Sequence, residues 1–197
     1  MAGKHKGRAL VTPSGNGVRP TSNRVRESLF NVLAHGLHRA GKQSVLENAS
    51  VLDAFAGSGA LGFEALSRGA AECIFMEKAE AALQVIEKNS LELGETSRAR
   101  VIRTDATKPP TNTEPVDLLF LDPPYNQMLL LSALTGLLDA NWVGMNTVCC
   151  AELDAYEEYS IPSKMELILE RRYGRTRVII LRLKSQRLPN NFSISDS

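Results

Sequence analysis

Beyond residue 50 the chain alternates between short apolar runs closed by turn residues and stretches whose apolar positions recur every three or four residues. Side chains switch faces along a strand but return to one face of a helix after a turn, so the first kind reads as strand and the second as helix. Strands are expected at residues 50–54, 72–77, 99–104, 116–122 and 147–153, and helices at 60–68, 79–93 and 129–139. The last two apolar runs, 165–172 and 176–183, are separated only by Tyr173, Gly174 and Arg175. No crossover helix fits there, so these runs form an antiparallel hairpin. Earlier, Val25, Leu29, Val32 and Leu33 share one face of a helix that starts behind Thr21 or Ser22 as N-cap and stops at Gly36 or Gly41. Arg24, Glu27, Ser28 and Asn31 occupy its other face. The pattern predicts an α/β fold with a mostly parallel seven-stranded sheet that ends in an antiparallel edge. Residues 1–20 show no helical period and read as a basic arm or hairpin, and 185–197 as a frayed tail.

Composition narrows this to one domain: 197 residues with 43% hydrophobic content can bury a substantial core. No apolar run approaches the roughly 18 residues of a membrane span, and no apolar stretch follows the basic start. Three cysteines, Cys73, Cys149 and Cys150, match no zinc or disulfide spacing. A cytoplasmic monomer without metal is the expectation. The net charge of +1 hides a segregation: residues 1–42 hold eight Lys or Arg against Glu27 alone, whereas residues 43–170 hold eight against twenty acids. A second basic cluster follows at Arg171, Arg172, Arg175, Arg177, Arg182, Lys184 and Arg187. Two basic ends around an acidic middle suggest a polyanionic partner, with a solvated surface as the plain alternative.

Val51-Leu52-Asp53-Ala54-Phe55-Ala56-Gly57-Ser58-Gly59-Ala60-Leu61-Gly62 is an apolar strand, a small-residue turn and a helix start, where glycines let a ligand approach the backbone. The glycine spacing alone fits a nicotinamide dinucleotide as well as S-adenosylmethionine. Asp53 favours the latter, because an acid before the loop suits an ammonium better than a pyrophosphate. Glu77 ends the second strand, where a carboxylate can accept ribose hydroxyls, and Asp105 follows the third, where it can meet an adenine amino group. Each acid could equally be a helix or turn cap.

Leu119-Phe120-Leu121-Asp122-Pro123-Pro124-Tyr125 sets a rigid turn directly behind a strand. The prolines remove two donors and leave carbonyl acceptors. An exocyclic amine on a base is a poor nucleophile, since its lone pair is drawn into the ring. If the Asp122 carboxylate and the Pro123 carbonyl each accept one of its N–H groups, the lone pair is aimed at an electrophilic methyl. Tyr125 offers a face for the base to stack on. A plain Asx turn beside a packed ring is the alternative reading.

Together with Lys6-Gly7-Arg8, Arg19-Pro20-Thr21, Arg24-Val25-Arg26-Glu27-Ser28-Leu29-Phe30-Asn31 and the run from Phe55 to Ala70, this turn resembles the RsmD family of bacterial small-subunit (16S) ribosomal RNA guanine-N2 methyltransferases. The resemblance covers Gly3 to about Leu183. It implies a Rossmann-like class I methyltransferase domain over 21–184, S-adenosylmethionine as methyl donor, and small-subunit ribosomal RNA or the assembling subunit as partner. It assigns Asp53, Ala54, Phe55, Gly57, Gly59, Glu77, Lys78, Asp105 and Ala106 to the cofactor site, and Asp122, Pro123 and Tyr125 to the target amine. Lys6, Arg8, Arg19, Thr21, Arg24 and Arg26 fall to the RNA. The chain opens almost on the Gly3 to Arg8 turn, so most of the hairpin strand that the family implies upstream is missing, which bears on RNA affinity more than on methyl transfer. Adenine-N6 methylation of DNA or RNA, and an assembly factor without turnover, stand as alternatives.

Overall fold

The computed structural model describes residues 1–12, 23–37, 44–124 and 128–185. Its elements are α1 (Asn23–His35), β1 (Ser50–Asp53), α2 (Ala60–Ser67), β2 (Glu72–Glu77), α3 (Glu80–Leu93), β3 (Ala99–Arg103), β4 (Leu118–Leu121), α4 (Leu129–Asp139), β5 (Val148–Asp154), β6 (Met165–Tyr173) and β7 (Thr176–Leu183). The strands form one sheet in the order β3-β2-β1-β4-β5-β7-β6. The first five are parallel, and β7 runs antiparallel to both β5 and β6. This is the mixed sheet that the pattern predicted.

Every residue of β4, at the centre, is buried, as expected for a parallel strand covered on both faces. Phe120 and Cys150 join α1, α2 and α3 in one core, while Leu119, Leu121 and Cys149 join α4 and Trp142 in the other. The Phe30 ring of α1 packs on Phe120 with centroids 5.5 Å apart. Seven of the eight residues of α2 are buried, because this helix lies directly on β2. Gly62 permits that approach: a Cβ there would come within 2.5 Å of the Cys73 sulfur and closer still to Phe75. The edge strand β6 is largely exposed and carries Glu166, Glu170, Arg171 and Arg172, charges that discourage further pairing.

All three cysteines are buried and free. Burial pushes the Cys149 thiol up to about 12 and raises Cys73 and Cys150 well above the ordinary thiol value. No helix among the described residues is long and apolar enough to cross a membrane, and no group of three or more metal-ligating side chains is assembled among them.

Several boundaries differ from the expected ones. The strand expected over 116–122 pairs only over Leu118–Leu121, since Pro123 and Pro124 have no N–H to continue the ladder. Residues 1–12 contain no strand; they hold a 3₁₀ turn at Gly3–His5 and an extended stretch that packs on α2 and α3. Thr21 and Ser22, expected N-caps of α1, lie outside the described residues, as do residues 13–20 of the arm and 186–197 of the tail.

Candidate active site

The sheet order makes β1 and β4 neighbours whose connections leave on opposite faces, α2 returning toward β2 and α4 toward β5. Loops that diverge in this way open a crevice at the carboxyl edge of the sheet. The glycine loop enters it from β1 and Asp122-Pro123-Pro124 from β4. The Ala54 N–H donates to the Phe120 carbonyl at 3.0 Å, so the two segments leave the sheet side by side.

Gly57 and Gly59 take φ values of 54° and 78°. A Cβ on Gly59 would strike the Phe63 ring at 2.6 Å, whereas one on Gly57 would meet nothing within 4 Å. The loop is therefore packed from beneath at Gly59 and open above at Gly57. Ala54 is buried and Phe55 half-buried at its entrance. Asp53, expected at a methionine ammonium, sits under the loop at 1% exposure and accepts the Gly62 N–H at 3.0 Å. In this arrangement it braces the start of α2. Burial pushes its carboxyl up to about 7; the Gly62 N–H opposes that rise and neighbouring Glu77 adds to it.

Glu77 accepts the Gly57 N–H at 3.0 Å on one oxygen, and the Lys78 and Ala79 N–H groups at 2.8 Å on the other. It closes the loop and ties down the turn between β2 and α3. A carboxylate on the Gly57 amide occupies the place where a pyrophosphate would need a donor, and two mutually repelling acids under the loop oppose a dianion further. They suit a cationic ligand. Asp105 accepts the Thr107 N–H at 2.9 Å and its hydroxyl at 2.8 Å, and faces the Lys78 ammonium at 3.4 Å. The Thr107 bonds, with Lys78, hold its carboxyl below the usual aspartate value. Ala106 beside it is buried. Lys78 thus bridges the ends of β2 and β3.

Asp122 stands immediately past β4 and is half-buried, Pro123 is buried and Pro124 exposed, while Tyr125 lies outside the described residues. Glu152 did not stand out in the sequence. It is 5% exposed on β5, one residue past Ala151, which pairs with Leu121, so the register carries it to the side of Asp122. Its signal was an acid inside an apolar strand.

The basic residues divide. Lys6, Arg8 and Arg24 are exposed, and among the described residues none of their side chains meets an acid. Arg26 turns inward: its guanidinium donates to Asn23 at 2.7 Å and lies 4.0 Å from buried Glu64, which also takes Arg68 at 2.7 Å and the Ala2 N–H at 3.1 Å. Arg19 and Thr21 are outside the described residues. The C-terminal cluster is largely paired: Arg182 with Glu166 at 2.7 Å and Arg177 with Glu170 at 3.6 Å across β6 and β7, Arg172 with Glu170 at 3.6 Å within β6, and Arg175 with Asp154 of β5 at 3.4 Å.

The model of the family described as Conserved hypothetical protein 95, the RsmD family, matches residues 1–182. The chain belongs to this family. It is 35% identical to ribosomal RNA small subunit methyltransferase D of Haemophilus influenzae over 178 residues, 88% of each chain. It is 40% identical to the Escherichia coli protein of the same name over 144 residues, covering 73% of this chain and 68% of that one. Among solved structures it superposes on the Escherichia coli chain yhhF with a TM-score of 0.77 at 34% identity, covering 94% of this chain and 97% of that one. A Haemophilus influenzae chain follows at 0.72 and 31%, covering 92% and 96%. The RsmD-family match takes in residues 1–20 as well as the sheet. The chain is a class I methyltransferase with a methyl donor of the S-adenosylmethionine type.

Proposed function

We propose that this RsmD-family enzyme methylates the exocyclic N2 amine of a guanine in small-subunit (16S) ribosomal RNA, with S-adenosylmethionine as donor. The juxtaposition of the glycine loop and the Asp122-Pro123 turn across β1 and β4 carries the reading, because one loop suits a cationic cofactor and the other an amine. The names of the Haemophilus influenzae and Escherichia coli relatives supply the class of RNA.

When bound, S-adenosylmethionine supplies a methyl group on a positively charged sulfur. The chain's own work is to place and polarise the amine. The Asp122 carboxylate and the Pro123 carbonyl accept its two N–H groups, which turns the remaining lone pair along the line of attack. As methyl transfers, positive charge grows on that nitrogen, and the Asp122 carboxylate stabilises it in a partly dry crevice and takes the released proton. Tyr125 stacks on the extracted base. Glu77 retains a lone pair beyond its three backbone bonds for a ribose hydroxyl, and Asp105 offers its outer oxygen to an adenine amine. Lys6, Arg8, Arg19, Thr21, Arg24 and Arg26 meet the RNA backbone, with Arg26 the most restrained of them.

Incubation with labelled S-adenosylmethionine and either naked small-subunit RNA or partly assembled particles, followed by nucleoside analysis, tests the reading. N2-methylguanosine is the expected product; N6-methyladenosine, or no label in either substrate, would overturn it. Asp122→Ala is expected to lower kcat by roughly 10²–10³-fold, with cofactor affinity kept.

A further inference from the structure

Asparagine is a poor choice for a helix interior, since its side chain competes for backbone hydrogen bonds. Yet Asn89 lies inside α3 at 1% exposure. Its carboxamide reaches two segments that are far apart in the chain. The oxygen accepts the Val11 N–H at 2.8 Å, and the nitrogen donates to the Val11 carbonyl at 3.0 Å and to the Ser58 carbonyl at 3.0 Å. Val11 belongs to the N-terminal arm and Ser58 to the middle of the glycine loop.

We infer that Asn89 is a positioning residue that couples the arm to the glycine loop, so that docking of the arm sets how firmly the loop holds its cofactor-binding shape. The inference takes the loop as the cofactor site and rests on the proposed function in that respect alone. One peptide plane shows how the coupling works. The Ser58 carbonyl is held by Asn89, and the Gly59 N–H of the same plane donates to the Ala56 carbonyl at 2.6 Å. Both ends of the plane are thereby fixed, just where Gly59 takes its left-handed φ of 78°. Both hydrogens of the Asn89 amide are used, one on each segment. If Val11 leaves, a buried amide loses two of its three bonds and must reorient or admit water, and its grip on Ser58 goes with it.

The rest of the arm is anchored to the two helices that flank the loop. The His5 N–H donates to the Ser67 hydroxyl of α2 at 2.8 Å, that hydroxyl donates to the Ala2 carbonyl, and Lys4 and His5 meet buried Glu95 just past α3. A contact that draws the arm onto a polyanion through Lys6 and Arg8 therefore acts on a segment already wired to the cofactor loop.

Val11→Pro removes the arm's N–H without altering the Asn89 side chain; Asn89→Ala removes all three bonds. Hydrogen exchange of residues 54–62 without cofactor, and calorimetric titration with S-adenosylmethionine alone, are read for each variant and for the pair combined. Val11→Pro is expected to speed loop exchange and weaken S-adenosylmethionine about five- to tenfold, with exchange in the 165–183 hairpin unchanged as the sign of an intact fold. Combining it with Asn89→Ala should add less than about twofold, because both act through one amide. Loop exchange in Val11→Pro within twofold of the parent, or independent addition of the two substitutions, would overturn the coupling. A parent chain that binds no S-adenosylmethionine would sink the cofactor reading instead, and the exchange comparison would still decide whether arm and loop are linked.

Discussion

The two basic ends of this chain look alike in the sequence and differ in the fold. At the N-terminal end Lys6, Arg8 and Arg24 remain exposed, with no acid against them among the described residues. In the C-terminal hairpin Arg175, Arg177 and Arg182 are matched by Asp154, Glu170 and Glu166 from neighbouring strands, and Arg172 by Glu170 on its own strand. Local charge density is therefore a poor guide to a phosphate-binding surface. Only a cation left without an internal partner can give up solvent counterions to RNA at little cost, so the N-terminal end carries the electrostatic reading and the hairpin serves the fold.

Substitutions at the two ends should separate accordingly. The largest effect is expected from Arg177→Ala, since Arg177 is buried, donates to the Ala155 carbonyl, pairs with Glu170 and lies 5.2 Å over the Tyr159 ring. A loss of about 3 kcal/mol in urea unfolding is expected, with the salt dependence of RNA binding unmoved; a changed salt slope would return the hairpin to the RNA interface. Next comes the joint replacement of Lys6, Arg8 and Arg24 by Ala. It should lower the slope of log affinity against log salt by about two to three while leaving stability within roughly 0.5 kcal/mol per site. A slope equal to the parent's would remove the asymmetry between the ends. Arg26→Ala tests the intermediate case and should cost about 1 kcal/mol, because Glu64 then keeps only Arg68 and the Ala2 N–H.

The smallest effect is one of pH. Burial pushes the Glu95 carboxyl up, but hydrogen bonds from His5, Lys4 and Arg98 outweigh it and hold the pKa below the usual glutamate value. A depressed acid contributes stability that is present above its unfolded pKa and lost as pH falls through the folded one. Thermal unfolding followed below about pH 4.5 should therefore show a decline in the parent that Glu95→Gln lacks. Parallel curves would mean that this pair does not tie down the arm.

Most of the architecture was legible because short apolar runs closed by turn residues differ sharply from stretches of period 3.6, and these became β1 to β5 and α2 to α4. Strand ends were less so. Paired length depends on the neighbour's backbone, and β4 stops at Leu121 where prolines end its donors. The Asp122 turn was found from its chemistry and Glu152 was not, since its place beside Asp122 follows from sheet order. The arm's anchors were equally hidden: Glu64, Ser67, Asn89 and Glu95 read as ordinary helix or turn positions, and their partners lie 62 to 91 residues away. The pairing of Arg182 with Glu166 could have been seen. Once 165–172 and 176–183 are taken as antiparallel around Gly174, Glu166 falls opposite Arg182, as the register shows.

The three sealed cysteines have a practical consequence. With every native thiol buried and its ionisation suppressed, none presents a reactive thiolate to an alkylating dye near neutral pH. A single cysteine introduced at an exposed arm position such as Lys6 would be the one site that takes a fluorophore. Labelled in that way, the unmodified background becomes its own optical reporter of whether the arm lies on the helices or on nucleic acid.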